Sequence, residues 1–292
     1  MKQLPATLAI FALAFSSIAS AQATKPAKAP KAAKPAAAAP APAVAAKDET
    51  TAGIEKYREM LGDDNPAELY EARGEILWKQ ARGPKNVSLE QCDLGLGAGV
   101  IKGAYAQTPR YFADADRVMD IESRIVHCMM TLQGFSEADV RKRPFGSADK
   151  PSEMEDLVTY VVTQAKGAKI APPTAHPKEK EAFELGQAMF HVRAGPYDFS
   201  CATCHGTDDK RIRLQDLPNL TKAADNRRAY PGWPAYRVST SQVHTMQWRI
   251  NDCFRQQRMP EPKYLSESVN AMITYMAVMA TGAEYKGPAL KR

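Results

Sequence analysis

The clearest periodic pattern of apolar residues lies near the C-terminus. Five apolar side chains recur there at the 3.6-residue spacing of a buried helix face. They are Val269, Met272, Ile273, Met276 and Met279. Ser266 is a suitable N-cap and Gly282 a suitable stop, so the pattern predicts a helix between them whose methionines pack in a core.

The chain carries the same features twice in the same order, which indicates an internal repeat. Each copy has a glycine four residues before an aromatic residue, then Gly-Pro, a cysteine, Arg-Ile-x-x-Cys and a helix containing Thr-Tyr. The first copy consists of Gly74–Trp78, Cys92, Arg124–Cys128 and residues 157–160. The second consists of Gly186–Phe190, Cys201, Arg249–Cys253 and residues 272–275.

The repeat predicts two all-α domains, residues 50–172 and 178–292, because the alternation typical of strands is scarce. In each domain the glycine would let the first helix cross closely over the last helix, since glycine has no Cβ atom. A further helix is predicted over residues 241–256.

The N-terminal residues have the pattern of an export signal. A positive charge at Lys2 is followed by an apolar run over residues 8–15 and by small residues that end at position 21. This pattern predicts a cleaved secretory signal peptide over residues 1–21. Residues 22–49 are mostly Ala, Pro and Lys, which predicts an extended linker. Lys2 and four linker lysines supply five of the six net positive charges, so the basic composition does not indicate nucleic-acid binding. No run is long enough for a membrane span.

Residues 201–205 read Cys-Ala-Thr-Cys-His, the signal for covalent attachment of haem c. Cys201 and Cys204 would bond the haem vinyl groups, and His205 would be the proximal iron ligand. Aligned on Cys92, the first copy has Gly95 and Leu96 in place of the second cysteine and the histidine. The sequence therefore predicts one haem c and two tandem cytochrome c-like domains, the first without haem.

Three cysteines remain after haem attachment. Cys92 and Cys128 occupy repeat positions that would flank an empty haem pocket, and an oxidising compartment would join them in a disulfide. Two buried free thiols are the alternative. Cys253 is then an odd cysteine, which in an exported protein suggests a reactive thiol or an intermolecular partner.

Three residues compete for the distal side of the iron. Cys253 has the repeat counterpart Cys128 and would lower the reduction potential as a thiolate ligand. Met259-Pro260 resembles the Met-Pro distal signal of electron-transfer cytochromes, and His244 would give bis-histidine ligation. The sequence favours Cys253 and leaves all three open.

Two arginines near Cys253 are candidates for substrate binding. Arg249 lies one helical turn before Cys253 on the same face. A guanidinium there would hold an oxyanion by paired hydrogen bonds and lower the pKa of the thiol. Arg258 lies near the predicted helix end, within reach of the pocket mouth.

The chain closely resembles the SoxA family, the catalytic cytochrome c subunits of sulfur-oxidising SoxAX complexes. The resemblance covers nearly all of residues 50–292. It is carried by Phe199–His205, Pro109–Ala113, Arg249–Arg255 and Arg258–Pro262. The departure at Gly95 and Leu96 is similar to the single-haem type, in which a disulfide replaces the first haem.

The resemblance implies the roles of the site residues and the reaction. His205 would be the proximal ligand, Cys253 the distal ligand and catalytic group, and Arg249 the active-site arginine. The implied activity is that of a periplasmic L-cysteine S-thiosulfotransferase, which conjugates thiosulfate to a cysteine of the carrier SoxYZ. The implied partner is the cytochrome subunit SoxX. A plain electron-transfer cytochrome with Met259 as distal ligand is the alternative.

Overall fold

The computed structural model describes residues 65–141, 152–212 and 215–291, together with residues 52–53, 56–57 and 60. The predicted signal peptide, residues 1–21, and the predicted linker, residues 22–49, lie outside the described residues. Within the described part of the chain, no helix is both long and apolar enough to cross a membrane.

Within residues 65–141 and 152–163, the first half has four α-helices and one antiparallel hairpin. In chain order these are α1 (Ala67–Lys79), β1 (Arg110–Phe112), β2 (Arg117–Met119), α2 (Ile121–Thr131), α3 (Glu137–Arg141) and α4 (Glu153–Thr163). Short 3-10 turns at Leu89–Gln91 and Ala104–Gln107 connect α1 to the hairpin.

The second half repeats this plan with additions. Its described helices are α5 (Pro177–His191), α6 (Cys201–His205), α7 (Ala223–Ala229), α8 (Met246–Gln256) and α9 (Glu267–Met279), with a 3-10 turn at Tyr230–Gly232. Its strands are β3 (Arg211–Ile212), β4 (Gln215–Asp216), β5 (Ala235–Arg237), β6 (Gln242–His244) and β7 (Ala289–Lys291). β3 pairs with β4, and β5 lies between β6 (antiparallel) and β7 (parallel).

The first and last helices of each half cross at a glycine. A Cβ atom on Gly186 would lie 2.0 Å from the carbonyl oxygen of Ala271, and one on Gly74 would lie 2.0 Å from that of Asp156. Side chains of any other residue would force these backbones apart. The predicted role of both glycines as close crossing points is therefore confirmed.

The hairpin and the helix that follows it occur in both halves, and their corresponding residues differ by a constant number of positions along the chain. β1 and β2 correspond to β5 and β6, and each hairpin follows a cis X-Pro bond, at Pro109 and Pro234. Asp120 caps α2 and Thr245 caps α8 by accepting a backbone N–H three residues on. Arg124 and Cys128 consequently occupy the same places on α2 as Arg249 and Cys253 on α8.

The structure differs from the predicted all-α fold in these short strands. The predicted helix over residues 241–256 begins five residues later, at Met246, because residues 242–244 pair with β5 and Thr245 provides the cap. The predicted C-terminal helix is confirmed: Ser266 caps it, it runs over Glu267–Met279, and Gly282 beyond it has φ +86°.

The described residues of the two halves pack together in one compact unit. Buried polar contacts cross between them: Gln247 Nε2 donates to Asp120 Oδ2 at 2.7 Å, and the backbone N–H of Asp120 donates to Asn270 Oδ1 at 2.6 Å. The Tyr105 hydroxyl also donates to the carbonyl of Trp233 at 2.7 Å. The hydrophobic core continues from one half into the other.

We expect Gly186→Ala to destabilise the protein by about 1–3 kcal/mol or more, because the new methyl group has no space beside the Ala271 carbonyl. Thermal or urea unfolding of the holoprotein measures the change. Gln187→Ala, at an exposed position of the same helix, is the matched control and should leave stability nearly unchanged. Equal stability of the two variants would contradict the close crossing.

Candidate haem and thiol site

The Cys-x-x-Cys-His run forms a short helix that is fixed at both ends. Ser200 caps α6 by accepting the N–H of Thr203, and the Thr203 hydroxyl accepts the N–H of Ser200 in return. His205 Nδ1 lies 2.9 Å from the carbonyl oxygen of Pro218. This hydrogen bond orients the ring and leaves Nε2 available as a ligand.

These residues fit a haem c. Cys201 and Cys204 are free, half-buried thiols on one helical turn, and burial raises the pKa of Cys201 to about 12. Burial lowers the pKa of His205, so its ring is neutral and able to coordinate iron. The two sulfurs and the imidazole are the donor set that haem c attachment requires.

Cys253 shares this environment. It lies on α8, is half-buried, and is close enough to Cys201 and Cys204 for their charges to interact with its own. Burial raises the pKa of Cys253, and the nearby charges of Arg249 and Arg237 oppose that rise. The predicted pKa-lowering effect of Arg249 is therefore present, but burial outweighs it.

The buried carboxylate of Asp252, next to Cys253, accepts hydrogen bonds from three surrounding arginines. The side chain of Asp252 is only 3% exposed. Its Oδ2 accepts from Arg249 Nη1 at 2.9 Å and from Arg237 Nη1 at 3.2 Å, and its Oδ1 accepts from Arg255 Nη2 at 2.5 Å. Burial raises the pKa of Asp252, but hydrogen bonds from Gln256 and Arg255 and the arginine charges bring it below its usual value.

His244 belongs to a stack beside this cluster. Its ring lies 3.6 Å from the ring of Trp248, centroid to centroid, and its Nε2 is 2.7 Å from the hydroxyl oxygen of Thr240. The Arg237 guanidinium lies over the same indole at 5.4 Å. Burial and the charge of Arg237 lower the pKa of His244 to about 4.

The remaining predicted residues lie beyond α8. Met259 is buried, and its N–H donates to the carbonyl of Phe254 at 2.9 Å. The guanidinium of Arg258 lies over the ring of Tyr197, 5.8 Å from its centroid. The Arg258 side chain therefore lies against Tyr197, while its backbone N–H donates to the carbonyl of Arg255 at 3.1 Å.

Sequence reasoning missed Arg237 and Asp252. The internal repeat contains the signal for both residues. At the matching positions the first half has Phe112 and His127, so the two halves differ where the cluster forms. Comparing Pro109–Phe112 with Pro234–Arg237 would have singled out the arginine.

The corresponding place in the first half holds a disulfide. Cys92 and Cys128 are joined, with Cα atoms 5.7 Å apart, and both residues are buried. Arg124, the counterpart of Arg249, donates from Nη1 to both carboxylate oxygens of Asp114 at 2.8 Å and from Nε to the Asp93 carbonyl at 2.6 Å.

A repeated helical unit with a covalent haem motif in its second copy defines a c-type cytochrome. A family model described as the SoxA/TsdA cytochrome c domain matches residues 73–170 and 185–285. The chain belongs to this SoxA/TsdA cytochrome c family, and the two matched segments confirm the predicted pair of cytochrome c-like units.

Similar proteins agree with this assignment. The chain is 51% identical to the L-cysteine S-thiosulfotransferase subunit SoxA of Hydrogenophilus thermoluteolus, over 86% of this chain and 93% of that protein. It is 33% identical to a SoxA subunit of Hydrogenobacter thermophilus, over 86% and 92% of the two chains. The crystal structure of SoxXA from P. pantotrophus matches with a TM-score of 0.66 at 23% identity, over 81% of this chain and 84% of that chain, which shows a shared fold.

We expect the double substitution Cys92→Ala and Cys128→Ala to lower the free energy of unfolding by about 2–5 kcal/mol, because the disulfide closes a loop across 36 residues. Urea unfolding of wild type and variant gives the difference. Alkylation of the denatured protein without reductant serves as the control, and labelling of Cys92 or Cys128 in wild type contradicts the disulfide.

Proposed function

We propose that this chain is the catalytic subunit of an L-cysteine S-thiosulfotransferase and conjugates thiosulfate to a cysteine of the carrier SoxYZ. The observation that carries the proposal is Cys253, which lies near the two haem-attaching cysteines with Arg249 one turn away. The SoxA subunit with 51% identity, which bears this enzyme name, supports it.

The reaction divides into two sulfur-transfer steps. Thiosulfate, a small dianion, binds against Arg249 by charge-assisted hydrogen bonds. A bond forms between its outer sulfur and the Cys253 sulfur, the thiol proton is released, and two electrons pass one at a time to the cytochrome partner SoxX. The carrier thiolate then attacks that outer sulfur, which forms the conjugate and returns Cys253 as a thiolate.

One haem c completes the site. Cys201 and Cys204 would hold it covalently, with His205 on the proximal side and Cys253 on the distal side. Haem c supplies one-electron redox chemistry beside the sulfur that reacts. The first unit carries no haem in this proposal. Gly95 and Leu96 stand where the second attachment cysteine and the histidine would be, and Cys128, the counterpart of Cys253, is joined to Cys92 in a disulfide.

The cellular setting follows from the same assignment. The cytochrome subunit SoxX is the partner that forms a heterodimer with this chain and accepts electrons, as the SoxXA fold match suggests. The signal peptide over 1–21 would export the protein to the periplasm, where haem c attachment and disulfides both occur, and the linker over 22–49 would follow it. The two cytochrome units span residues 50–172 and 178–292.

We expect Cys253→Ser to abolish conjugation of thiosulfate to SoxYZ, since the hydroxyl cannot form or release a sulfur–sulfur bond. The haem remains attached through Cys201 and Cys204. Turnover with purified SoxX and SoxYZ, together with the intact mass of the variant, checks both statements. Retained activity in a variant of correct mass would refute the role of Cys253.

Met259→Leu is the matched control, because it conserves volume at a buried position of the same region. It should keep activity and the ferric absorption spectrum. The electron-carrier alternative makes the opposite prediction: a weak far-red band of methionine-ligated ferric haem in wild type, its loss in Met259→Leu, and no effect of Cys253→Ser on electron transfer.

A further inference from the structure

Two guanidinium groups converge on a single buried oxygen next to Cys253. Asp252 Oδ2 accepts from Arg249 at 2.9 Å and from Arg237 at 3.2 Å, and the two arginines come from different elements, α8 and β5. Like charges held this close repel each other, and the low local dielectric of a buried site strengthens the repulsion. The Asp252 carboxylate offsets only one of the positive charges, and Arg255 shares the same carboxylate, so the cluster keeps a net positive charge that a bound anion would neutralise.

The first half shows which parts of this arrangement the fold requires. It has the same hairpin, the same cis proline and the same arginine, Arg124, with Phe112 at the position of Arg237. Phe112 packs its ring under Arg124 at 4.2 Å. Because the scaffold forms equally well around a phenylalanine, the folding of the hairpin does not explain a half-buried arginine at position 237.

Arg237 is held in a defined place. The guanidinium of Arg237 lies over the indole of Trp248, 5.4 Å from its centroid, and the ring of His244 stacks on the same indole at 3.6 Å. The corresponding first-half positions hold Ser123 and Met119, so the whole stack is specific to the second half. An arginine fixed by an aromatic face and a carboxylate loses little conformational entropy when it binds an anion.

We propose that Arg237 is a second substrate-binding residue, which acts with Arg249 to hold the two negative charges of thiosulfate beside Cys253. The inference rests on the proposed function and deepens it. Arg249 approaches the anion along α8, and Arg237 approaches from the hairpin. Asp252 is the positioning residue for both guanidinium groups. Two fixed cations select a dianion over a monoanion of similar size.

The test is equilibrium binding of thiosulfate to the purified ferrous holoprotein, measured by anaerobic titration calorimetry without SoxX or SoxYZ, so that no electron acceptor is present and no sulfur–sulfur bond forms. Arg237→Phe installs the residue that the first half carries at the same place, which favours correct folding. We expect it to weaken thiosulfate binding about 10- to 100-fold, the range for a charge-assisted hydrogen bond to a buried anion. Arg237→Lys keeps the charge without the planar fork and should recover part of the affinity.

The variant Arg255→Met tests whether a loss of affinity comes from a lost contact with thiosulfate or only from a less firmly held Asp252. Arg255 pairs with the same carboxylate, but its side chain is 61% exposed. Its loss should change the thiosulfate affinity less than about fivefold, because an exposed ion pair contributes little. An effect of Arg255→Met as large as that of Arg237→Phe would overturn the inference, and so would unchanged affinity in Arg237→Phe.

Steady-state kinetics of the full system distinguish this inference from the proposed function. If wild type conjugates thiosulfate and Arg237→Phe raises the KM for thiosulfate while the KM for SoxYZ stays constant, both stand. If wild type conjugates thiosulfate but Arg237→Phe changes only the reduction potential, the inference alone fails. If binding depends on Arg237 and wild type forms no conjugate, the proposed function fails and the anion site remains.

Discussion

Direct backbone contact at a few glycines determines where every other part of the site can lie. Gly186 brings α5 against the carbonyl of Ala271 on α9, and Gly195, with φ +75°, brings the turn before the haem motif against the carbonyl of Arg258. The second contact joins the segment that carries Cys201 to the end of the helix that carries Cys253. A Cβ atom at Gly195 would push these two segments apart, and one at Gly186 would separate α5 from α9.

The duplication separates scaffold from chemistry within one chain. Gly83 repeats the contact of Gly195, with its Cβ position 2.4 Å from the Gln133 carbonyl, and Gly74 repeats that of Gly186. The two halves therefore share their geometry. They differ in what surrounds the arginine that both halves carry: a carboxylate and a phenylalanine around Arg124, and a carboxylate shared with a second arginine around Arg249. The function has to be sought in these differences.

The sequence predicts what local spacing determines. The C-terminal helix, its Ser266 cap and the glycine crossings follow from residues close together along the chain, and the structure has them. The start of α8 and residue Arg237 depend on pairing between β5, β6 and the distant β7, where Arg237 lies opposite Gln242 and Lys291. Such pairing brings together residues of large sequence separation. Strands of only three residues are too short to show a periodic pattern of apolar residues in the sequence.

The choice of arginine around Cys253 follows from burial. A buried histidine loses its charge, as His244 shows with a pKa of about 4, and a buried lysine is subject to the same penalty. Guanidinium keeps its proton under those conditions, because its unperturbed pKa is far above neutrality. Burial and the charge of Arg249 lower the pKa of Arg237, yet it still supplies a permanent charge next to a thiol that burial tends to keep protonated. The anion site proposed beside Cys253 therefore uses arginine, and the Asp252 carboxylate holds two guanidinium groups together.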